Sequence, residues 1–334
     1  MAVSAFSFSS SASSSPVIAC LDDTARAQEV AQVAANYSQW LDRPLIFFHS
    51  LEFGRAQSAM SDPLEWQLRR CKAQQSLQRV TENLIGSPSS PILQIGEGSW
   101  VQSLSGLLET VTDAVVVIGS AANGNTAHLA STLLDRGAHK LFVVPPGMRE
   151  QLSDSPRIAV PLDGSKFSEA SLAEAIAIAR AHPAELLLLH VTPPAVIDTF
   201  GPLGHTDLEL QVMLDRRNEM AAGNFLETSL RRLRDMGVKA RSRCLKGDPR
   251  SGLEGLLAEE SPELVLLSAR GQGIRTCENL SLGSTANYLI DHLNLPVMIV
   301  GFGADEAKRN SPFTTGRDHA RDFRGPLNSS PVAA

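Results

Sequence analysis

The chain has 334 residues, 43% of them hydrophobic and 20% charged. That is ordinary globular composition at a length suited to two domains or one large one. Lys and Arg number 30 against 36 Asp and Glu, a net charge of −6, which argues against a general nucleic-acid or anionic-membrane binder. No run of 18 apolar residues occurs, which argues against a membrane-spanning helix. The four cysteines (Cys20, Cys71, Cys244 and Cys277) form no CxxC. Neither a disulfide framework nor a zinc site is expected, and the composition suits a reducing, cytoplasmic location.

Residues 1–16 are Ser-rich and carry no Lys or Arg. They lack the basic and apolar regions of a secretory signal and read as a disordered segment. Val17-Ile18-Ala19-Cys20 resembles a lipid-attachment box, but its apolar run reads as a buried first strand. Residues 17–150 and 151–303 read as two domains, and 304–334 as a disordered tail too poor in apolar surface to offset its ordering entropy.

Short apolar runs alternate with helical patterns between these ends. In the second half the runs are 157–162, 185–191, 238–245, 263–268 and 296–301, read as parallel strands covered on both faces. Residues 168–181 and 207–236 have helical spacing. The longer pattern places Leu210, Met213, Leu214, Met220, Phe225, Leu226, Leu230 and Leu233 toward a core and stops at Gly237. Strict β-α-β alternation predicts an α/β fold, a parallel sheet with right-handed crossovers and helices on both faces.

The first half repeats the second. Residues 17–50 align without a gap on 158–191 at an offset of 141, which sets Asp22 against Asp163 and His49 against His190. Residues 98–119 align with 247–268 at an offset of 149, and the last strands, 141–144 and 297–300, lie 156 apart. A repeat of this length is a domain duplication, not a solenoid. Each copy ends in an apolar strand. Joining those edges within one chain would give a pseudo-dimer, and the same edges invite homo-oligomers.

In an open parallel sheet, ligands bind at the carboxyl ends of the strands, in the crevice where the winding reverses. For a five-strand unit that crevice lies between the first and fourth strands. Pro161-Leu162-Asp163-Gly164-Ser165 leaves the first strand of the second copy. The Asp163 carboxylate suits a ribose hydroxyl or adenine amine. Equally, Asp163, Ser165 and Ser168 suit backbone N–H groups at the next helix start. Ser268-Ala269-Arg270-Gly271-Gln272-Gly273 leaves the fourth strand, and Gly283-Ser284-Thr285 opens the last helix. Glycines admit a phosphate, a helix start offers free N–H groups, and Arg270 could balance its charge.

These segments resemble the universal stress protein family. The matching pieces are PLDGS (161–165), LLLHV (187–191), GDP (247–249), LVLLSARG (264–271), LGSTANYLI (282–290) and PVMIV (296–300), in family order. The whole chain resembles a tandem member. The resemblance implies two Rossmann-like five-stranded domains of strand order 3-2-1-4-5, dimerisation through the last strand and, in one branch, ATP binding. That branch carries Gly-x2-Gly-x9-Gly-Ser/Thr. Here Ser268 replaces the first Gly, Gly271 matches, and Gly283-Ser284 matches after a spacer of eleven residues; counting from Gly273 restores nine. The implied adenine and ribose contacts fall on Pro161, Asp163 and Val191. ATP or a related adenine nucleotide is therefore expected in the second copy. In the first copy the Gly-Ser pair aligns with Ala127-His128, and no nucleotide is expected there.

Other features read as structural. His49 and His190 are expected to bond neighbouring loops, Cys277 is an incidental loop thiol, and the arginines at 216–217 and 231–234 line a solvated helix face. The histidines form no metal-binding cluster, and no GxSxG or P-loop occurs. Three readings remain: a nucleotide-binding regulator, a nucleotide-free module that docks unidentified proteins as a pseudo-dimer, and, least supported, a slow ATPase.

Overall fold

Apolar β-branched runs flanked by Ala- and Leu-rich helical stretches dictate the architecture. The computed structural model describes residues 15–51, 63–86, 90–120, 125–148, 153, 155–197, 204–271 and 282–301. The expected N-terminal segment and C-terminal tail lie almost wholly outside these residues. The first half runs β1 (Val17–Cys20), α1 (Ala27–Trp40), β2 (Leu45–Ser50), α2 (Pro63–Glu82), β3 (Ile92–Gly96), α3 (Trp100–Thr110), β4 (Val115–Gly119), α4 (Thr126–Asp135) and β5 (Lys140–Val144). The second repeats the order: β6 (Arg157–Pro161), α5 (Lys166–Ala181), β7 (Glu185–Thr192), α6 (His205–Asp235), β8 (Lys239–Lys246), α7 (Pro249–Glu260), β9 (Leu264–Ser268), α8 (Ser284–His292) and β10 (Val297–Val300).

All ten strands form one sheet, ordered β3-β2-β1-β4-β5-β10-β9-β6-β7-β8. Each half alone has the order 3-2-1-4-5, and its strands pair in parallel. The halves join where β5 meets β10 antiparallel, with Phe142 opposite Met298 and Lys140 opposite Val300. The expected internal pseudo-dimer is thus present. The homo-oligomer expected through the same strands is not available in this arrangement. A strand has two edges; β5 uses its pair on β4 and β10, and β10 on β5 and β9.

Side chains alternate along each strand, so successive residues feed opposite layers. Val17 and Ala19 enter the layer beneath α1, α2, α5 and α6. Ile18 and Cys20 enter the layer beneath α3, α4, α7 and α8. Both layers run through both halves. Phe47, on the central part of β2, is 0% exposed. Phe47→Ala is expected to lower unfolding free energy by about 3–5 kcal/mol, read from urea denaturation.

Two expectations need correction. Residues 238–245 do not read as a strand covered by apolar groups: β8 is an outer edge, and its Lys239, Arg241, Arg243 and Lys246 give it a charged border. Charged side chains on an edge discourage pairing with other chains. Arg241 and Arg243 reach Glu260 of α7, and Lys246 reaches Asp215 of α6. The apolar positions in the first half of α6 are not core either. Leu210, Met213 and Met220 are exposed, whereas Ala222, Leu226, Ser229 and Leu233 are buried. A 31-residue helix is about 46 Å long. Its neighbour β8, with eight residues, spans about 26 Å, so the helix outruns the sheet. No helix among the described residues is long and apolar enough to cross a membrane.

Candidate functional site

The carboxyl ends of β6 and β9 bring the predicted residues of the second half together. Pro161 closes β6, and Leu162 N–H donates to Leu189 O at 2.7 Å. Asp163 Oδ1 then accepts Ser165 N–H at 2.9 Å, with Gly164 between them at φ +77°. Ser165 caps α5, its Oγ accepting Ser168 N–H at 3.2 Å. The local, helix-starting roles of Asp163 and Ser165 are therefore real.

The exit of β9 lies against the same carboxylate. Ala269 N–H donates to Val300 O at 2.8 Å, and Ser268 Oγ donates to Arg270 O at 2.7 Å. A Cβ on Gly271 would sit 2.5 Å from Asp163 Oδ2. Only a residue without a side chain lets the two exits approach this closely. Gly283, the N-cap of α8, donates its N–H to Ala269 O at 2.6 Å. That bond ties the start of α8, with Ser284 and Thr285 in its first turn, to the β9 exit. Asp163, Gly271 and Gly283 thus meet at one mouth, the joint exit of β6 and β9, with Arg270, Ser284 and Thr285 beside them in the chain. A carboxylate faces it from β6, and the first-turn N–H groups of a nine-residue helix stand on its other side. Val191 differs: its side chain is buried and packed under α7, where a Cβ on Gly252 would meet Val191 Cγ1 at 3.1 Å. Gly273 and Cys277 lie outside the described residues.

The corresponding mouth in the first half is filled by its own side chains. Asp22 Oδ1 accepts the N–H and hydroxyl of Thr24 at 3.1 and 2.6 Å. Arg26, at the start of α1, reaches across the strand ends. Its Nη1 donates to Ser120 O at 2.5 Å and its Nη2 to Val144 O at 2.9 Å. A Cβ on Gly119 would lie 3.6 Å from Arg26 Nη2, an ordinary contact distance, so the guanidinium packs against the backbone at the β4 exit. In the duplication Ser120 corresponds to Ala269, whose carbonyl holds the Gly283 N–H in the second half. The arginine has taken that acceptor. The first turn of α4 is engaged as well, with Ala127 N–H donating to Asp291 Oδ1 of α8 at 3.1 Å. Sequence reasoning did not single out Arg26. The available signal was its twin in the ungapped alignment, Phe167, since a cation replaces an aromatic at one position.

The remaining polar groups are structural. His49 Nδ1 and Leu21 O lie 2.9 Å apart, and His190 Nδ1 and Leu162 O lie 2.6 Å apart. Each strand-end histidine donates to the loop after the neighbouring first strand, as expected. Burial pushes the Cys20 thiol up to about 12, far from a reactive thiolate. Asp248, of the GDP segment, is the N-cap of α7: it accepts N–H groups of Arg250 and Ser251 at 3.0 and 3.1 Å, with Pro249 following. The Ser251 N–H in particular holds its carboxyl below the usual aspartate range. A lowered folded-state value means that this cap stabilises above the unfolded value and fades as pH falls through the folded one. Asp248→Ala should therefore lower the melting temperature at pH 7. The difference from wild type should shrink at pH 3 and below, as thermal melts across pH would show. Among the described residues no group of three or more His, Cys, Asp or Glu is placed to hold a metal ion.

Two doubly wound units fused through an antiparallel seam, with strand-end mouths facing helix starts, define a duplicated Rossmann-like α/β protein. Residues 155–301 match the model of the universal stress protein family. The match falls on the second half of the chain. It is 27% identical to Universal stress protein YxiE of Bacillus subtilis over 146 residues, 43% of this chain and 97% of that protein. Among solved structures, a universal stress protein from Archaeoglobus fulgidus is similar over 87% of this chain and 98% of its own, with TM-score 0.59 and 15% identity. A universal stress protein from Pseudomonas aeruginosa is similar over 85% and 92%, with TM-score 0.51 and 12% identity. At these identities both structures speak to the fold alone, and both span the two halves.

Proposed function

We propose that this chain is a regulatory protein that binds ATP or a related adenine nucleotide in its second half only, and that it is not an enzyme. The observation that carries the reading is the approach of Gly271 to Asp163 Oδ2 beside the start of α8. It sets a carboxylate, a side-chain-free backbone and a helix N-terminus around one mouth, which is what a nucleoside phosphate requires. Asp163 would face the ribose, the peptide groups at Pro161 and Val191 would border the base, and Gly283, Ser284 and Thr285 would face the phosphates. Arg270 would balance their charge, and Ser268 would brace the turn through its bond to the Arg270 carbonyl. Bound nucleotide would act by ordering this mouth and so changing the surface offered to partner proteins. At the mouth of the first half, Arg26 and, from the second half, Asp291 supply the contacts a ligand would otherwise make.

Thermal melts with ATP, AMP and cyclic AMP test this. At about a hundred times Kd a nucleotide should stabilise the fold by about 2.7 kcal/mol. No shift with any of the three would favour the nucleotide-free docking module, in which Asp163 has a structural role only. Titration calorimetry should give one nucleotide per chain; two would overturn the closed first site. ATP loss that scales with protein concentration and vanishes in Gly283→Asp would revive the ATPase.

A further inference from the structure

The seam between the halves obeys the duplication in its backbone but not in its chemistry. Lys140 of β5 lies 2.8 Å from Glu174 Oε2 of α5 and 2.8 Å from Asp113 Oδ1 of its own half. The Lys140 and Glu174 side chains are only 12% and 10% exposed. Across the pseudo-dyad none of these charges recurs. At the offsets of the duplication, Glu174 corresponds to Val33, Lys140 to Pro296 and Asp113 to Pro262. The same asymmetry holds nearby. Trp40 of α1 stacks on His182 at the end of α5, with centroids 4.6 Å apart and planes 12° apart; their counterparts are Ala181 and Leu41.

We propose that this seam is a recognition surface for unlike partners, and that Lys140 and Glu174 make a first half select a second half over another copy of itself. A seam between two second halves would place Pro296 where Lys140 stands, at both ends of the dyad. It would bury two Glu174 carboxylates without a cation, and a buried charge stripped of its partner is strongly unfavourable. A seam between two first halves would set each Lys140 against Val33, leaving it only its own Asp113. The apolar strand residues do not discriminate in this way. Val143, Phe142 and Leu141 face Val297, Met298 and Ile299, and either set would pack against itself. Specificity therefore rests on penalising the wrong pairs.

The test uses the full chain with a protease site inserted between residues 149 and 152, cut after folding, unfolded in urea, refolded and weighed by native mass spectrometry. Wild type should return first-with-second pairs at least tenfold over like pairs. In Lys140→Met/Glu174→Val, like pairs should rise about tenfold or more. The uncut double variant should melt close to wild type, because apolar groups replace a buried ion pair with little loss. A statistical mixture from wild type, or an unchanged distribution from the double variant, overturns the proposal. Should the cut chains fail to refold, the uncut chain decides through urea unfolding of the two single variants and the double. Lys140→Met, which strands the buried Glu174, should be clearly less stable than the double, and additive effects overturn the proposal.

Discussion

Gly271→Val is expected to abolish the thermal stabilisation by ATP proposed above for the wild-type chain. The first atom of the new side chain would lie 2.5 Å from Asp163 Oδ2, so one of the two strand exits must move. Asp163 cannot simply turn away, since its other oxygen holds the Ser165 N–H that starts α5. Displacing the carboxylate or the β9 exit would remove the proposed ribose and phosphate sides of the mouth together. The stabilisation of about 2.7 kcal/mol at a hundredfold excess over Kd should fall close to zero, a loss of about a hundredfold in affinity. Without nucleotide the variant should lose no more than about 1 kcal/mol, the worth of the turn hydrogen bond, because Gly271 lies beyond β9 and outside the core. Asp163→Ala should lose binding too and should also cost about 1 kcal/mol through the turn hydrogen bond. An undiminished ATP shift in both variants would remove the site from this mouth.

Arg26→Ala is expected to destabilise the first half by about 2–4 kcal/mol in urea unfolding. Two bonds from a charged donor to main-chain carbonyls disappear, and such bonds contribute about 1.5–3 kcal/mol each. The upper end is discounted because the side chain is 26% exposed and water can replace part of the loss. Arg26→Lys should recover only part of the deficit. An ammonium cannot span Ser120 O and Val144 O as the guanidinium fork does. A loss below about 0.5 kcal/mol, typical of a solvated surface arginine, would show that Arg26 does not fill the crevice.

Much of this was legible in the linear chain, and the reasons are local. Continuous apolar runs such as LLLL at 186–189 can be satisfied only by a strand buried on both faces, and β7 has just that burial. The ungapped match of 17–50 to 158–191 carried the duplication, because spacing between a strand and its following helix is set by short loops. The histidine roles also followed from position, since His49 and His190 each close a second strand beside a first-strand loop. The edge character of β8 and the overhang of α6 were not legible. Both depend on which strand has a neighbour and on how far a helix outlasts its sheet. Neither property belongs to any window of residues.

The sequence by itself determined the α/β class, the doubled unit and the pairing of a carboxylate with a glycine-bearing strand exit, because strand burial, helical period and backbone freedom are written residue by residue. Tertiary structure alone decided that the two last strands consume each other's edges, that Arg26 reaches two carbonyls about 100 residues away in the chain and that Lys140 finds Glu174. Such contacts arise between segments with no sequence relation, brought within a few ångströms only when the strands assemble and, for Lys140 and Glu174, when the sheet closes across its seam.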